Sequence, residues 1–317
     1  MNNLLDFEET VPAGDHPPVG SPSWQKHHCR YFHIAGITIE VSADRPFAAD
    51  TFQSKFRAFQ AKGPTEDTVT IRHRFTLPDI DGRDLGREVY RRAPWAICKR
   101  DDAWIYLGIL HSTQNRPLHC LAVFSPDHGS CRIYSPDTKA FAQGHASSLT
   151  LFPSDQILLA RLLANRQGCY LHSSAVILDG KGLVFAGHSE AGKSTMAGLL
   201  KDTAEILCDD RNIIRRQEQS FRVFGTWSHG DLPLVSSSSA PLAAILFLQQ
   251  AAGNRLVAVK DKKTIVRRLL AYVVRPFVTD DWWENTLSLV DAMSAEVPCY
   301  TVEFDKSGRI LDLLRRL

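Results

Sequence analysis

A chain of 317 residues has room for two domains at about 150 residues each. Its composition, 44% apolar and 23% charged, can bury a sizeable core and is not that of a disordered chain. Lysine and arginine number 37 against 35 aspartate and glutamate, a balance of +2, so charge favours neither nucleic acid nor an anionic membrane as partner.

Apolar stretches such as 242–248 and 269–274 fall far short of the ~20 residues of a spanning helix. The acidic start, Met1-Asn2-Asn3-Leu4-Leu5-Asp6-Phe7-Glu8-Glu9, lacks a signal peptide's basic and apolar regions. Seven scattered cysteines with no C-x-x-C pair suit reduced thiols, and the expectation is a cytoplasmic protein. His27-His28-Cys29 and His119-Cys120 lack the partner spacing of a metal site.

In chain order, the proline- and glycine-rich segment 10–22 predicts an extended arm over residues 1–30. Residues 31–150 read as a mostly antiparallel β domain, with strands at 32–41, 68–72, 104–108, 119–124 and 131–134. The leucine spacing of 153–166 predicts a helix capped by Ser154 and ended near Gly168, opening a third region, 151–317. Within that region, strands at 174–178 and 183–186 form a hairpin around Asp179-Gly180-Lys181-Gly182. A strand at 204–208 precedes a second pair, 212–215 and 221–224. Ser236-Ser237-Ser238-Ser239 reads as a flexible solvated loop.

Gly187-His188-Ser189-Glu190-Ala191-Gly192-Lys193-Ser194-Thr195 matches G-x-x-x-x-G-K-[ST] between an apolar strand and a helix-forming run. Such a loop turns backbone amides onto phosphate, Lys193 reaches the β/γ oxygens and Ser194 offers a hydroxyl to Mg²⁺. Asp209-Asp210 closes the next strand, where two desolvated neighbouring carboxylates call for a cation or a shared proton. Connections too short for crossover helices then require an antiparallel or mixed sheet, unlike the parallel sheets of Ras-like, recA-like and adenylate-kinase-like proteins.

Taken together, Leu171-His172-Ser173-Ser174-Ala175-Val176, the hairpin, the phosphate loop and Leu207-Cys208-Asp209-Asp210-Arg211 resemble the catalytic domain of HPr kinase/phosphorylase and its relatives. Gly225-Thr226-Trp227-Ser228-His229-Gly230 and the helical spacing of 265–272 and 287–293 fit the same pattern. The resemblance implies a mixed α/β kinase domain of the type shared with phosphoenolpyruvate carboxykinase, using ATP and Mg²⁺. It implies His172, Asp209 and Asp210 as catalytic residues, residues 187–195 as the nucleotide loop, and Ser194, Asp209 and Asp210 as metal ligands. One aspartate would take the acceptor's proton.

Glu190 stands where the bifunctional enzymes carry glycine and Thr195 where they carry glutamate, and their phosphorylase hallmark has no match. Reverse phosphorolysis and HPr as substrate are therefore not expected. Glu190 should face solvent, because an inward carboxylate would repel phosphate. Arg211 could pair with the aspartates or contact phosphate, and the basic run Lys260, Lys262, Lys263, Arg267, Arg268 reads as a solvated helix face. The expected activity is phosphoryl transfer to a hydroxyl acceptor, first a serine of a protein or peptide. Two alternatives stand beside it: a small-metabolite kinase, and a nucleotide-binding module without turnover. Carboxykinase chemistry is the weakest reading, and a homo-oligomer stays open.

Overall fold

The computed structural model describes residues 21–109, 118–136, 138–139, 146–150, 155–277 and 279–317. Its contacts divide the chain into two compact units. The first comprises Met1–His33, Ile37–Ser54 and Gln60–Asp155; the second comprises Ile34–Gly36, Lys55–Phe59 and Gln156–Leu317. Among the described residues no helix is long and apolar enough to cross a membrane. Most of the arm expected at 1–30, and the proposed Ser154 cap, lie outside the described residues. The arm's last part is not extended. Pro22–His28 is a helix (α1), with proline at the first helical position, where its missing N–H has no partner to lose.

The first unit carries a nine-stranded sheet. Its strands are β1 (Cys29–Ile34), β2 (Ile37–Ala43), β3 (Gln60–Ala61), β4 (Thr68–Arg74), β5 (Arg87–Arg92), β6 (Trp95–Lys99), β7 (Trp104–Gly108), β8 (Cys120–Phe124) and β9 (Ser130–Tyr134). They lie in the order β3-β1-β2-β4-β9-β8-β7-β6-β5. The sheet is mixed: β5 to β9 form an antiparallel meander, but β2 and β4, and β4 and β9, pair parallel. The single strand read at 32–41 is a hairpin, broken where Ala35 and Gly36 take φ of 50° and 82°. Strand β5 has no buried side, consistent with a charged sheet edge that discourages further pairing.

In the second unit α2 (Asp155–Ala164) leads into β10 (Gly168–Leu178), then β11 (Lys181–Ala186), α3 (Lys193–Leu200), β12 (Glu205–Cys208), β13 (Arg211–Gln217) and β14 (Ser220–Phe224). After these come β15 (Ser239–Gln250), β16 (Arg255–Ala258), α4 (Lys262–Tyr272), α5 (Asp280–Glu296), β17 (Cys299–Phe304) and α6 (Ile310–Leu314). The eight strands are also mixed, because β15 runs parallel to β11 and β17. Alternation sorts the apolar residues onto two faces. Leu183, Phe185, Ala244 and Leu246 pack with Met196 and Leu200 of α3 and with Ile310 and Leu314 of α6. Val184, Ala186, Ile245 and Phe247 pack with Ile265 and Leu269 of α4 and with Leu289 and Met293 of α5. A sheet covered on both sides explains why its strands are continuous apolar runs.

The serine tract is not a free loop. Ser236 donates its N–H to Leu207 O (3.0 Å) and its hydroxyl to Glu205 (2.6 Å), and Ser239 begins β15. That carbonyl-to-strand approach requires Gly225, where a Cβ would sit 1.9 Å from the Ser236 oxygen. The basic run is only partly solvated: Lys262 pairs with Asp291 (2.7 Å), and Arg268 lies over the Phe247 ring and donates to Thr301. All seven cysteines are buried free thiols, and burial pushes Cys120, Cys169 and Cys299 up to about 12, which makes them poor nucleophiles.

His73 of β4 is buried, with Nε2 2.8 Å from Leu149 O, and burial pushes its pKa down to about 4. Below pH 6.5 the unfolded chain takes up a proton that folded His73 refuses, so stability present above pH 6.5 is lost as pH falls towards 4, by about 3 kcal/mol in all. Urea titrations at pH 7 and 4.5 should show this loss in the wild type. His73→Gln should remove most of it, and an undiminished loss in that variant would show that His73 is not its source.

Candidate active site

Strand β11 ends at Ala186 and the chain turns through residues 187–192 into α3. Inside the turn Ala191 donates to His188 O (3.2 Å), and Met196 donates to Gly192 O (2.8 Å), the first bond of the helix. Gly192 holds φ 97°, and a Cβ there would lie 2.7 Å from Phe304 Cζ, so both conformation and space select glycine. No side chain caps α3. Its first turn therefore has no side-chain acceptor for its N–H groups, an arrangement that favours an anion.

Lys193 is buried, and its Nζ donates to the carbonyls of Gly187 (3.1 Å) and His188 (2.9 Å). Burial pulls its ammonium below the usual lysine range, while the Asp210 and Asp209 charges act in the opposite direction. Glu190 is exposed, as charge repulsion required, but with φ 69° it occupies a left-handed conformation that favours glycine. Its carbonyl accepts from Gln250 Nε2 (2.8 Å) at the end of β15.

The opposite wall comes from strand pairing. His172 of β10 lies directly across from Arg211 of β13, and Ser173 N donates to Asp210 O (3.0 Å). Asp210 then contacts His172 Nε2 through Oδ1 (3.0 Å) and Arg211 through Oδ2. Burial pushes the Asp210 carboxyl up, but the His172 hydrogen bond and the charges of Arg211, His172 and Lys193 outweigh it and hold it below the usual carboxylate range. Asp209 is 1% exposed and accepts from the backbone N–H groups of Gly230 (2.7 Å) and Leu232 (3.0 Å). Thus the adjacent carboxylates have separate partners: Asp210 is compensated by the Arg211 guanidinium and His172, and Asp209 by two backbone N–H groups.

His172, Ser189, Glu190, Gly192, Lys193, Ser194, Thr195, Asp209 and Asp210 line one cleft of about 290 Å³. Gly187, His188 and Ala191 contribute backbone to the loop and do not line it. The His188 ring instead meets Tyr272 edge to face at 5.5 Å. Gly230, Asp231 and Gln250 also line the cleft and were missed by sequence reasoning, because tertiary folding alone brings them there. Asn212 was missed as well. Fully buried, it donates from Nδ2 to Ser173 O (2.7 Å) and Cys208 O (3.1 Å), fastening β10, which carries His172, to the end of β12 just before Asp209 and Asp210. A polar residue opening the apolar run Ile213-Ile214 was the available signal.

Asp209→Ala leaves two backbone donors without their charged acceptor and should cost about 2–3 kcal/mol. Amide exchange at Gly230 and Leu232 should accelerate in that variant and stay at the wild-type rate in Asp210→Asn. Equal protection in Asp209→Ala would show that the carboxylate does not hold this segment.

No curated protein sequence matches the chain. Among solved structures, the chain is similar to the Hpr(Ser) kinase/phosphatase from Coxiella burnetii at 8% identity, over 46% of this chain and 94% of that one, with a TM-score of 0.29. The family model described as SynChlorMet cassette protein ScmC matches residues 151–317, more than half of the length and the whole of the cleft, and the chain belongs to that family.

Proposed function

We propose that the second unit is an ATP-dependent kinase that transfers the γ-phosphoryl group to a hydroxyl, with a serine of a protein or peptide as the first candidate acceptor. The observation that carries this reading is that Lys193, His172 and Asp210 line one cleft, with Arg211 paired to Asp210. A cationic loop on one wall and an ionised carboxylate on the other suit a reaction in which positioning and charge stabilisation do most of the work. The combined sequence pattern of loop, histidine and paired aspartates supports it too.

In this mechanism the loop amides and Lys193 hold the β- and γ-phosphate oxygens. Asp210 orients the acceptor hydroxyl. As the acceptor oxygen bonds to the γ-phosphorus, the bridging oxygen departs with ADP and the hydroxyl proton passes to Asp210. A depressed carboxyl pKa keeps Asp210 ionised and ready at neutral pH, and His172 and Arg211 fix its orientation. Asp209 shapes the wall through Gly230 and Leu232.

The residues present fit Mg²⁺: the Ser194 hydroxyl and the Asp210 carboxylate are hard oxygen donors on the same cleft, with Asp209 behind them. When bound, the ion would neutralise phosphate charge. Among the described residues no three His, Cys, Asp or Glu side chains form a metal cage. Mg²⁺ commonly completes its shell with phosphate and water, and such a cage is not required.

A second reading, a nucleotide-binding module without turnover, is favoured by the exposed Glu190 carboxylate at the mouth of the loop. One experiment separates the two. The full chain is incubated with Mg²⁺, γ-labelled ATP and a host-cell extract, and label is resolved into protein, peptide and small-molecule fractions. Transfer should disappear in Lys193→Ala and fall by about 100-fold or more in Asp210→Asn with nucleotide binding retained. Label on small molecules would move the acceptor to a metabolite. Wild-type rates in Asp210→Asn would remove its assigned role, and binding without transfer or hydrolysis would leave the binding module.

A further inference from the structure

The first unit carries a row of residues that its fold does not explain. Along β4 burial alternates, so that Val69, Ile71 and His73 face the core while Thr70 and Arg72 turn to the open side. Strand β9 pairs with β4 in parallel register, Thr70 with Ser130 and Arg72 with Arg132. Ser42 of β2 flanks Arg72 on one side, and Val123 of β8 flanks Arg132 on the other. Reading across four strands, one row is Ser42, Arg72, Arg132, Val123.

Two arginines on adjacent strands emerge about 5 Å apart, and like charges placed so are destabilising. Neither forms an ion pair or hydrogen bond with a described residue. The acid of the next row, Glu40, lies in register with Thr70 and pairs with neither arginine. A local conflict of this kind, with no compensation in the fold, marks a site kept for something that binds there.

Between the rows lies a cavity of about 160 Å³ lined by Thr70, Arg72, Val123, Ser130, Cys131 and Arg132. A cavity of this size is roomy enough for an oxyanion group, since about 10–15 Å³ of such volume already holds a water. The guanidinium groups supply planar paired donors for a carboxylate, and the Thr70 and Ser130 hydroxyls supply more. Val123, almost fully buried, closes one end of the row, and the aliphatic stems of Arg72 and Arg132 give the cavity the apolar surface that the methylene stem of an acidic side chain uses and a bare inorganic anion does not.

From this juxtaposition we infer that the Arg72–Arg132 row is a docking subsite for an acidic peptide segment of a partner protein, one carboxylate seated between the two guanidinium groups. The inference is independent of the chemistry assigned to the second unit. An anionic guest also relieves the repulsion between the arginines, so removing one arginine should weaken binding without weakening the fold.

The test uses the full chain and a fluorescein-labelled peptide of alternating glutamate and glycine, followed by anisotropy at low salt. A glutamine–glycine peptide is the control, and inorganic phosphate is the competitor. Arg72→Gln and Arg132→Gln should each raise Kd by about tenfold, as expected for a lost charge-assisted contact, with Tm equal to or above wild type. Unchanged affinity in both variants, or equal binding of the glutamine peptide, would overturn the inference. So would phosphate binding more tightly than the peptide with the same arginine dependence, which would make this a free-oxyanion site. Loss of binding in Lys193→Ala would place the peptide at the phosphate loop and also refute it.

Discussion

Strand β10 pairs with three neighbours along its eleven residues, and the candidate site depends on that pairing. Its first half runs antiparallel to β13, its second half to β11 and β12, with a register shift between Ala175 and Val176. The first pairing sets His172 across from Arg211 and lets the Ser173 amide hold the Asp210 carbonyl. The second carries the hairpin into β11, whose far end leads into the 187–192 loop. One strand thus sets the separation between the loop and the opposite wall. Asn212 secures the junction, because its amide group donates to the Ser173 carbonyl on β10 and to the Cys208 carbonyl at the end of β12, on the Ala175 side of the shift.

The charges in the cleft follow from the same geometry. Asp209 and Asp210 are consecutive residues at the end of β12, and their side chains diverge. One enters the interior, where a carboxylate needs two strong donors and finds them in backbone amides. The other remains at the cleft, where cations surround it. The outcome is a pair with distinct tasks: a structural clamp behind an ionised, accessible carboxylate. Identical residue types acquire different chemistry because their environments differ.

The loop and its flanking hairpin were legible in the sequence because their determinants are local. Glycine at 192, the lysine after it and the two short turns each constrain their own few residues. The roles of Asp209, Asn212 and Gln250 were not legible, since each rests on a partner far along the chain: Asp209 on Gly230 and Leu232, Gln250 on Glu190. In the first unit the antiparallel meander follows from successive strands and turns, whereas the parallel pairing of β2, β4 and β9 joins strands separated by long connections. Ala35 concealed the β1–β2 turn, because alanine is a poor left-handed residue and the sequence reads through it as strand. The Arg87–Arg92 edge was overlooked for the opposite reason: a strand with no buried face lacks the alternation by which strands are recognised.

Lys193 shows why the loop is preset for a ligand. Its ammonium already lies within the loop, fixed by two neutral carbonyls, so under the proposed function an arriving phosphate would meet a lysine whose conformational freedom has been spent in folding. Anionic oxygens are stronger acceptors than carbonyls, so that exchange would favour the ligand. The same burial that fixes the lysine weakens its hold on its proton, while the Asp210 charge on the facing wall opposes that loss. Asp210 therefore acts on both sides of the cleft: it helps keep Lys193 cationic, and Lys193 helps keep Asp210 ionised. Each group favours the charged state of the other, which couples the loop electrostatically to the facing wall of the cleft.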